Sequence, residues 1–449
     1  MQNVKKVAVI GAGWAGCSAA VTLAQAGHCV TLFEAARTLG GRARAVKIDN
    51  RLLDNGQHIL LGAYKNTLKL FKNIGINSDA AMLRLPLQMQ YPSNSHGMTF
   101  CAAHLPAPLH LLAAIWRAAG LTKADKLALM RFSTTARWME WHLHEDCSVA
   151  ELLTRFDQTP RTIQLLWRPL CIAALNTPPE RASAQIFLNV LRDSLGARRK
   201  ASDMLIPRYD LTTLFPQQAA TFITKHGGEV MAGTNVNRIV SQDQHWMLEY
   251  ADVTPDKSES RTIYDAVVIA TSATQAASLL EALDANHSIP TFDYEPITTC
   301  YLQYDQDLKL AIPFYALIDD AEQKHWGQFV FDRGQLDQSQ SGLLAVVISV
   351  ANLAIENDRD TLSAAIAAQL ADALSMPQLA QPKWSKVISE KRATYSCTPG
   401  LQRPQEETGL SNLVLAGDYL QSDYPATLES AVHSGIKAAN LLGVSLAAT

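Results

Sequence analysis

Four successive apolar residues, Val7-Ala8-Val9-Ile10, end abruptly at Gly11. A short apolar run bounded by a turn residue predicts a strand buried on both faces, as in a parallel sheet. Residues 17–25 carry a helical pattern that Gly27 stops, and residues 30–33 form a second apolar run ending at Glu34. The same reading gives a helix over 214–226 stopped by Gly227-Gly228, strands at 229–231 and 236–240, and another buried strand over 265–271. Residues 91–210 read as largely helical. Alternation at 298–304 and 343–350 predicts a mixed sheet within 285–400. The polar stretch 252–260, centred on Pro255, predicts an exposed hairpin loop. Buried strands followed by helices make this an α/β chain.

The spacing Gly11-Ala12-Gly13-Trp14-Ala15-Gly16 falls between the first strand and its helix. Gly11 permits the tight turn, Gly13 lets the backbone approach a pyrophosphate, and Gly16 lets the helix pack close to the sheet. The helix would turn its first amides and positive dipole end toward the phosphates. Glu34, at the tip of the second strand, can accept both hydroxyls of a ribose. A dinucleotide site is predicted here. Gly40-Gly41-Arg42 follows. Its glycines let the chain pass close to the cofactor, and Arg42 can donate to the diphosphate with charge assistance.

The stretch from Ala35 through Gly40-Gly41-Arg42-Ala43 to Arg44 resembles the extended FAD fingerprint of the flavin amine oxidase and phytoene desaturase superfamily. Near the other end, Ala416-Gly417-Asp418 and Tyr424-Pro425-Ala426-Thr427-Leu428 resemble the second half of that site. The resemblance implies a bound FAD. It also implies a strand whose Gly417-Asp418 end reaches the ribityl-phosphate chain, then a helix whose first amides meet the flavin O2. Val236 is similar to the position whose backbone meets the adenine, and Ala270-Thr271 would end a strand beside the cofactor. The implied fold is a Rossmann-type FAD-binding domain interleaved with a substrate domain of mixed sheet plus helices. Residues 1–90, 211–284 and 401–449 would form the first domain, and 91–210 with 285–400 the second.

Three further blocks are similar to those of the squalene-associated flavoenzymes, the hydroxysqualene dehydroxylases of hopanoid biosynthesis. They are Leu53-Asp54-Asn55-Gly56-Gln57-His58-Ile59, then Leu166-Trp167-Arg168-Pro169-Leu170 with Asn176-Thr177-Pro178-Pro179, and Ser202-Asp203-Met204-Leu205-Ile206-Pro207. This similarity implies reductive removal of the hydroxyl from hydroxysqualene, giving squalene and water, with reduced FAD as donor. The hydroxyl is allylic, so its loss can place charge on a delocalised system while flavin N5 delivers hydride. The protein must supply an acid, a dry channel and alignment. His58 is the sharpest candidate acid, because Gly56, Gln57 and His58 should pass the flavin and imidazole titrates near neutrality. Its alternative is a structural hydrogen bond to backbone or cofactor. Asn176 and Asp203 are further candidates that could instead cap or turn the chain.

Composition narrows the remaining choices. With 449 residues the chain exceeds the usual single-domain size. A net charge of −3 gives no reason to expect nucleic acid. Seven cysteines without a CxxC pair fit reduced thiols in a cytosolic setting, and no metal site is expected. Cys397 could attach flavin covalently or be a plain buried thiol. Lys5-Lys6 mimics the start of a signal peptide, but the glycines at 11–16 break the helix such a segment needs. Residues 105–117 are apolar and are followed by Lys123, Lys126, Arg131 and Arg137. They form either a peripheral contact with the cytoplasmic membrane or a core helix. The rival functions are a carotenoid-type desaturase, an amine oxidase and a non-catalytic isoprenoid-binding protein of the same fold. Amine oxidases of the superfamily often carry a Lys on a substrate-domain strand near N5. The equivalent residues 297–304 have none.

Overall fold

A computed structural model describes residues 4–252, 259–283 and 288–447. Five parallel strands form its first sheet: Lys6–Ile10 (β1), Cys29–Glu34 (β2), Glu229–Ala232 (β3), Ala266–Ile269 (β4) and Leu413–Leu415 (β5). Their order is β3-β2-β1-β4-β5, with Val7 opposite both Val30 and Ala266. Val7, Ala8 and Val9 are wholly buried, as the unbroken apolar run requires of a central strand.

The helix Trp14–Gln25 (α1) starts three residues earlier than its apolar pattern suggests, because Gly13 serves as its N-cap. Helices Lys65–Asn73 (α2), Leu109–Arg117 (α3), Lys123–Trp138 (α4) and Leu428–Ala447 (α5) follow. A side chain at Gly435 would put its Cβ 2.1 Å from the Ala15 carbonyl oxygen, so α5 and α1 meet backbone to backbone. The single helix expected over 214–226 is two, Leu211–Leu214 and Pro216–Lys225. Phe215 breaks it (φ −134°, ψ −59°), because proline disfavours helical backbone in the residue before it. The predicted hairpin exists as His245–Asp252 paired antiparallel with Glu259–Tyr264. Its tip, 253–258, lies outside the described residues.

A second five-stranded sheet runs Phe314–Ala316, Phe329–Asp332, Leu343–Ser349, Tyr294–Gln303, Trp384–Tyr395, each neighbour antiparallel. Cys300, Leu302 and Val346 face the helix Arg359–Ala373, while Tyr301, Phe331 and Val347 face the largest core. The two-residue alternation therefore makes one sheet serve two apolar layers. In the helical insertion a capping box between Thr122 and Asp125 starts α4. A π-helical turn, Ile163–Trp167, precedes the helix Arg168–Leu175.

The 105–117 stretch divides by face. His110, Ala114 and Ile115 of α3 are buried, whereas Leu109, Leu112 and Trp116 are exposed, Trp116 by 74%. Among the described residues no helix is long and apolar enough to cross a membrane.

Candidate active site

The turn after β1 is shaped by contacts that only glycine permits. Gly11 has φ +99°, and a Cβ there would lie 2.6 Å from the Ala270 carbonyl oxygen. A Cβ on Gly16 would fall 1.9 Å from the Gly11 oxygen, so α1 rests directly on the turn. Gly13 differs. Its Cβ would meet nothing nearer than the Gly41 Cα at 3.9 Å, and both residues border a cavity. The gap between the two glycine loops is thus a cradle that a larger side chain would fill. Among the described residues no side chain caps α1, whose first turn opens on the same space. That is the donor set an anionic phosphate needs.

Glu34 stands at the tip of β2. One carboxylate oxygen accepts from the Ala12 amide and the other from the Ala36 amide, both at 2.8 Å. Each oxygen keeps a lone pair toward the cavity, where a ribose hydroxyl can donate. These features fit an adenine dinucleotide.

One cavity of about 1020 Å³ joins nearly every residue singled out above. Gly11, Gly13, Trp14, Ala15, Glu34 and Ala35 line it from the first segment, and Gly40, Gly41, Arg42, Ala43, Gly56, Gln57 and His58 from the second. Val236, Ala270 and Thr271 line it from the middle of the chain, and Gly417, Asp418, Ala426, Thr427 and Leu428 from the end. Ala12 and Gly16 stand behind the wall. The Ala12 carbonyl accepts from Gly40 at 2.8 Å, which ties the two glycine loops together.

Arg42 has a protein partner. Its Nη2 donates to both Asp418 oxygens at 2.6 and 2.7 Å, and its Nη1 to the Ala393 carbonyl at 2.6 Å. These bonds tie the second glycine loop to the C-terminal segment while Arg42 still lines the cavity. Thr427 caps α5, its hydroxyl accepting from the Ser430 amide at 3.1 Å, so the positive end of that helix opens on the cavity.

The three candidate catalytic residues part company. His58 lines the cavity, and its Nδ1 lies 2.9 Å from the Gly56 carbonyl, so that nitrogen carries the hydrogen and Nε2 keeps its lone pair. Burial, with a lesser push from the Arg42 charge, holds its pKa below the ordinary 6.5. Asn176 also lines the cavity but is fully engaged. It ends the helix Arg168–Leu175 in left-handed backbone (φ +44°). Its amide nitrogen donates to the Glu295 carbonyl and Thr394 Oγ1, and its oxygen accepts from the Val350 amide. It clamps the helical insertion to the second sheet. Asp203 is off the cavity, 2% exposed, with its carboxylate between Arg84 (3.1 Å) and Arg199 (3.4 Å). That carboxylate ties two arginines together and contributes nothing to the cavity wall.

Other contacts were invisible to sequence reading. Gln57 is held at both ends, donating to Tyr301 Oη (2.8 Å) and accepting from Arg333 (3.0 Å). Tyr301 in turn donates to the Asp54 carbonyl at 2.9 Å. Burial pushes the Asp54 carboxyl up to about 7, against the opposing hydrogen bond from the Leu211 amide. Glu429, in the first turn of α5, accepts from the backbone and side chains of Asn66 and Thr67 at 2.7 to 3.0 Å. It caps α2, which has no side-chain cap of its own. No local signal announces partners more than 360 residues apart. Cys397 is buried, its thiol pushed up to about 12 by burial, and it is absent from the cavity wall, which answers the covalent-attachment question with a plain thiol.

Beyond the cradle the cavity turns apolar. Met89, Phe187, Leu191, Phe314, Phe329, Phe331 and Val347 line it there. The strand Tyr294–Gln303, read YEPITTCYLQ, contributes Tyr294 and Ile297 to the wall and contains no lysine. Among the described residues no His, Cys, Asp and Glu cluster could hold a metal.

A family model described as flavin containing amine oxidoreductase matches residues 14–442. A hydroxysqualene dehydroxylase from Zymomonas mobilis subsp. mobilis is 27% identical over 96% of this chain and 98% of its own length. The 15-cis-phytoene desaturase of Synechococcus elongatus is 26% identical over 96% of this chain and 94% of its own. Among solved structures, cyclohexylamine oxidase from Brevibacterium oxydans superposes with a TM-score of 0.64 at 16% identity, covering 99% of this chain and 100% of that one.

Proposed function

The chain belongs to the flavin containing amine oxidoreductase family, and from that premise we propose that it removes the hydroxyl of hydroxysqualene reductively, releasing squalene and water. It is an oxidoreductase with FAD as cofactor. The observation that carries the finer reading is the apolar chamber opening directly onto the dinucleotide cradle, with no lysine on the flanking strand. Full-length similarity to hydroxysqualene dehydroxylases supports it.

The allylic C–O bond breaks, a hydride takes its place on carbon, and the hydroxyl group leaves with one added proton as water. Reduced FAD supplies the hydride when bound. Glu34, the Gly13–Gly41 gap and the first turns of α1 and α5 would hold the cofactor. Phe314, Phe329 and Phe331 keep water from the reacting carbon, which would otherwise recapture the cation. His58, neutral with a free Nε2, orients the alcohol by accepting its O–H. It can protonate the leaving oxygen only after taking a proton itself.

Anaerobic, reduced enzyme mixed with hydroxysqualene tests the reading. Squalene should form in proportion to the return of oxidised flavin absorbance. If His58 is the donor, its lowered pKa means the protonated fraction grows as pH falls below 6.5. Turnover should then rise toward acid pH, and His58→Ala should lose on the order of a hundredfold while keeping FAD. A flat profile with a fast His58→Ala enzyme removes the acid role. Flavin that stays reduced removes the dehydroxylation itself, whereas squalene or a related polyene reducing oxidised flavin would identify a desaturase.

The exposed face of α3 supports peripheral attachment to a lipid surface. Leu112 and Trp116 lie one turn apart on it, and α4 adds exposed Leu127 and Trp138 beside Lys123, Lys126 and Arg131. Leu112→Glu with Trp116→Glu should weaken binding to anionic vesicles about tenfold or more at full flavin content. Unchanged vesicle binding would end the idea. Ile115→Glu, pointing inward, should instead destabilise the fold.

A further inference from the structure

A second, smaller cavity of about 60 Å³ lies beside the main one. The two share four leucines, Leu87, Leu170, Leu191 and Leu195, so a single layer of side chains separates them. On its far side this chamber is walled by Leu111 and Ile115 of α3 and by Leu129, Phe132 and Ser133 of α4. Among the described residues Arg137 is the charged side chain on the wall, and its Nε is buried without a hydrogen-bond partner.

The same helix is apolar on two neighbouring sides, about 100° apart. Leu111 and Ile115, four residues apart, face the chamber, while Leu112 and Trp116, also four apart, face outward. A core helix needs only the first pair, and a surface helix would leave the second position polar. One helix therefore separates an exterior that suits lipid from an interior chamber that suits hydrocarbon.

The remaining wall differs in stiffness from the leucines. Leu166 and Trp167 belong to the π-helical turn, a rare geometry that often sits at functional sites. Trp167 donates to Gln158 at 2.8 Å, and its ring lies 4.2 Å from that of Phe132. Leu87, Leu170 and Leu195 are only partly buried and carry no such anchor. Leucine side chains can change rotamer without breaking a hydrogen bond, so the partition can open while the far wall stays fixed.

We infer that the crevice between α3 and α4 is the doorway through which an isoprenoid hydrocarbon passes between the lipid surface and the main cavity, with the four shared leucines as its inner partition. This rests on the proposed substrate class. It adds a route, and it assigns a task to the Leu166–Leu170 block that the cofactor site leaves unused.

The test uses the flavin as reporter and squalene in phosphatidylglycerol vesicles as probe. Squalene entering the wild-type holoenzyme should perturb the flavin absorbance, and stopped-flow mixing gives its association and dissociation rates. Ser133→Phe, which plugs the chamber without touching the main cavity, should slow both rates on the order of tenfold and leave the equilibrium affinity unchanged. Leu111→Ala, which widens the chamber, should speed both. A doorway changes rates together. A pocket that merely houses one end of the bound chain changes affinity instead, so weaker binding at an unaltered association rate would overturn the inference. Wild-type rates in both variants would overturn it too. Should Ser133→Phe fail to fold, an unaltered association rate in Leu111→Ala alone overturns it. If squalene leaves the wild-type flavin spectrum untouched, the substrate class is wrong and the doorway falls with it, a result distinct from the others.

Discussion

Valine at position 13 is expected to yield a folded, colourless protein. The Gly13 backbone is extended and a Cβ there meets no neighbour closer than 3.9 Å, so the polypeptide itself tolerates the change. The valine methyls fall in the gap between Gly13 and Gly41, where a phosphate would sit. FAD binds only the native state, so its loss removes a ligand contribution of about 3 kcal/mol at a hundredfold excess over Kd and leaves the apoprotein's stability unchanged. Gly16→Ala should do the reverse. Its Cβ would collide with the Gly11 oxygen, and the apoprotein itself should lose stability. Flavin absorbance together with urea unfolding, with and without added FAD, separates the two. Full flavin occupancy in Gly13→Val would sink the cradle assignment.

Glu429→Ala should be the most costly single change outside the glycine turn. The carboxylate receives four hydrogen bonds, from two amides and two side chains at the start of α2. Hydrogen bonds to a charged group contribute about 1.5–3 kcal/mol each in favourable settings. The site is partly exposed and water can replace some partners, so a net loss of about 3 kcal/mol is expected. The urea midpoint should fall, and FAD should bind more weakly, because Glu429 itself borders the cavity. Glu429→Gln, which keeps the acceptor oxygen, should recover part of the loss. If Ala and wild type unfold alike, the capping role is wrong.

These two positions also mark the boundary of what the sequence discloses. β1, α1 and β2 were readable because their signals are local: four apolar residues, three spaced glycines, and an acid at the next strand's end. Glu429 was opaque because a glutamate in a first helical turn looks like an ordinary surface residue until α2 is placed beside it. Arg333 is 3% exposed and meets Gln57 across 276 residues, which no periodicity encodes. Asn176 was singled out from its motif, yet its three hydrogen bonds show a clamp. Arg42 was recognised as a charge-assisted donor, while its partner Asp418 lies 376 positions away. Residues 105–117 carried two exclusive readings, and burial divides the helix between them: Ile115 is packed inward while Trp116 is left exposed.

The central sheet is completed by its last contributor. β5 supplies residues 413–415 to the open edge of β4, and α5 then seats Gly435 against Ala15 near the opposite end of the chain. During translation β1 to β4 precede β5, so the edge of β4 stays unpaired until residues 413–415 have left the ribosome. Such an edge can pair with other nascent chains until β5 covers it. A premature stop near codon 410 would remove β5, Asp418 and the cap of α2 together.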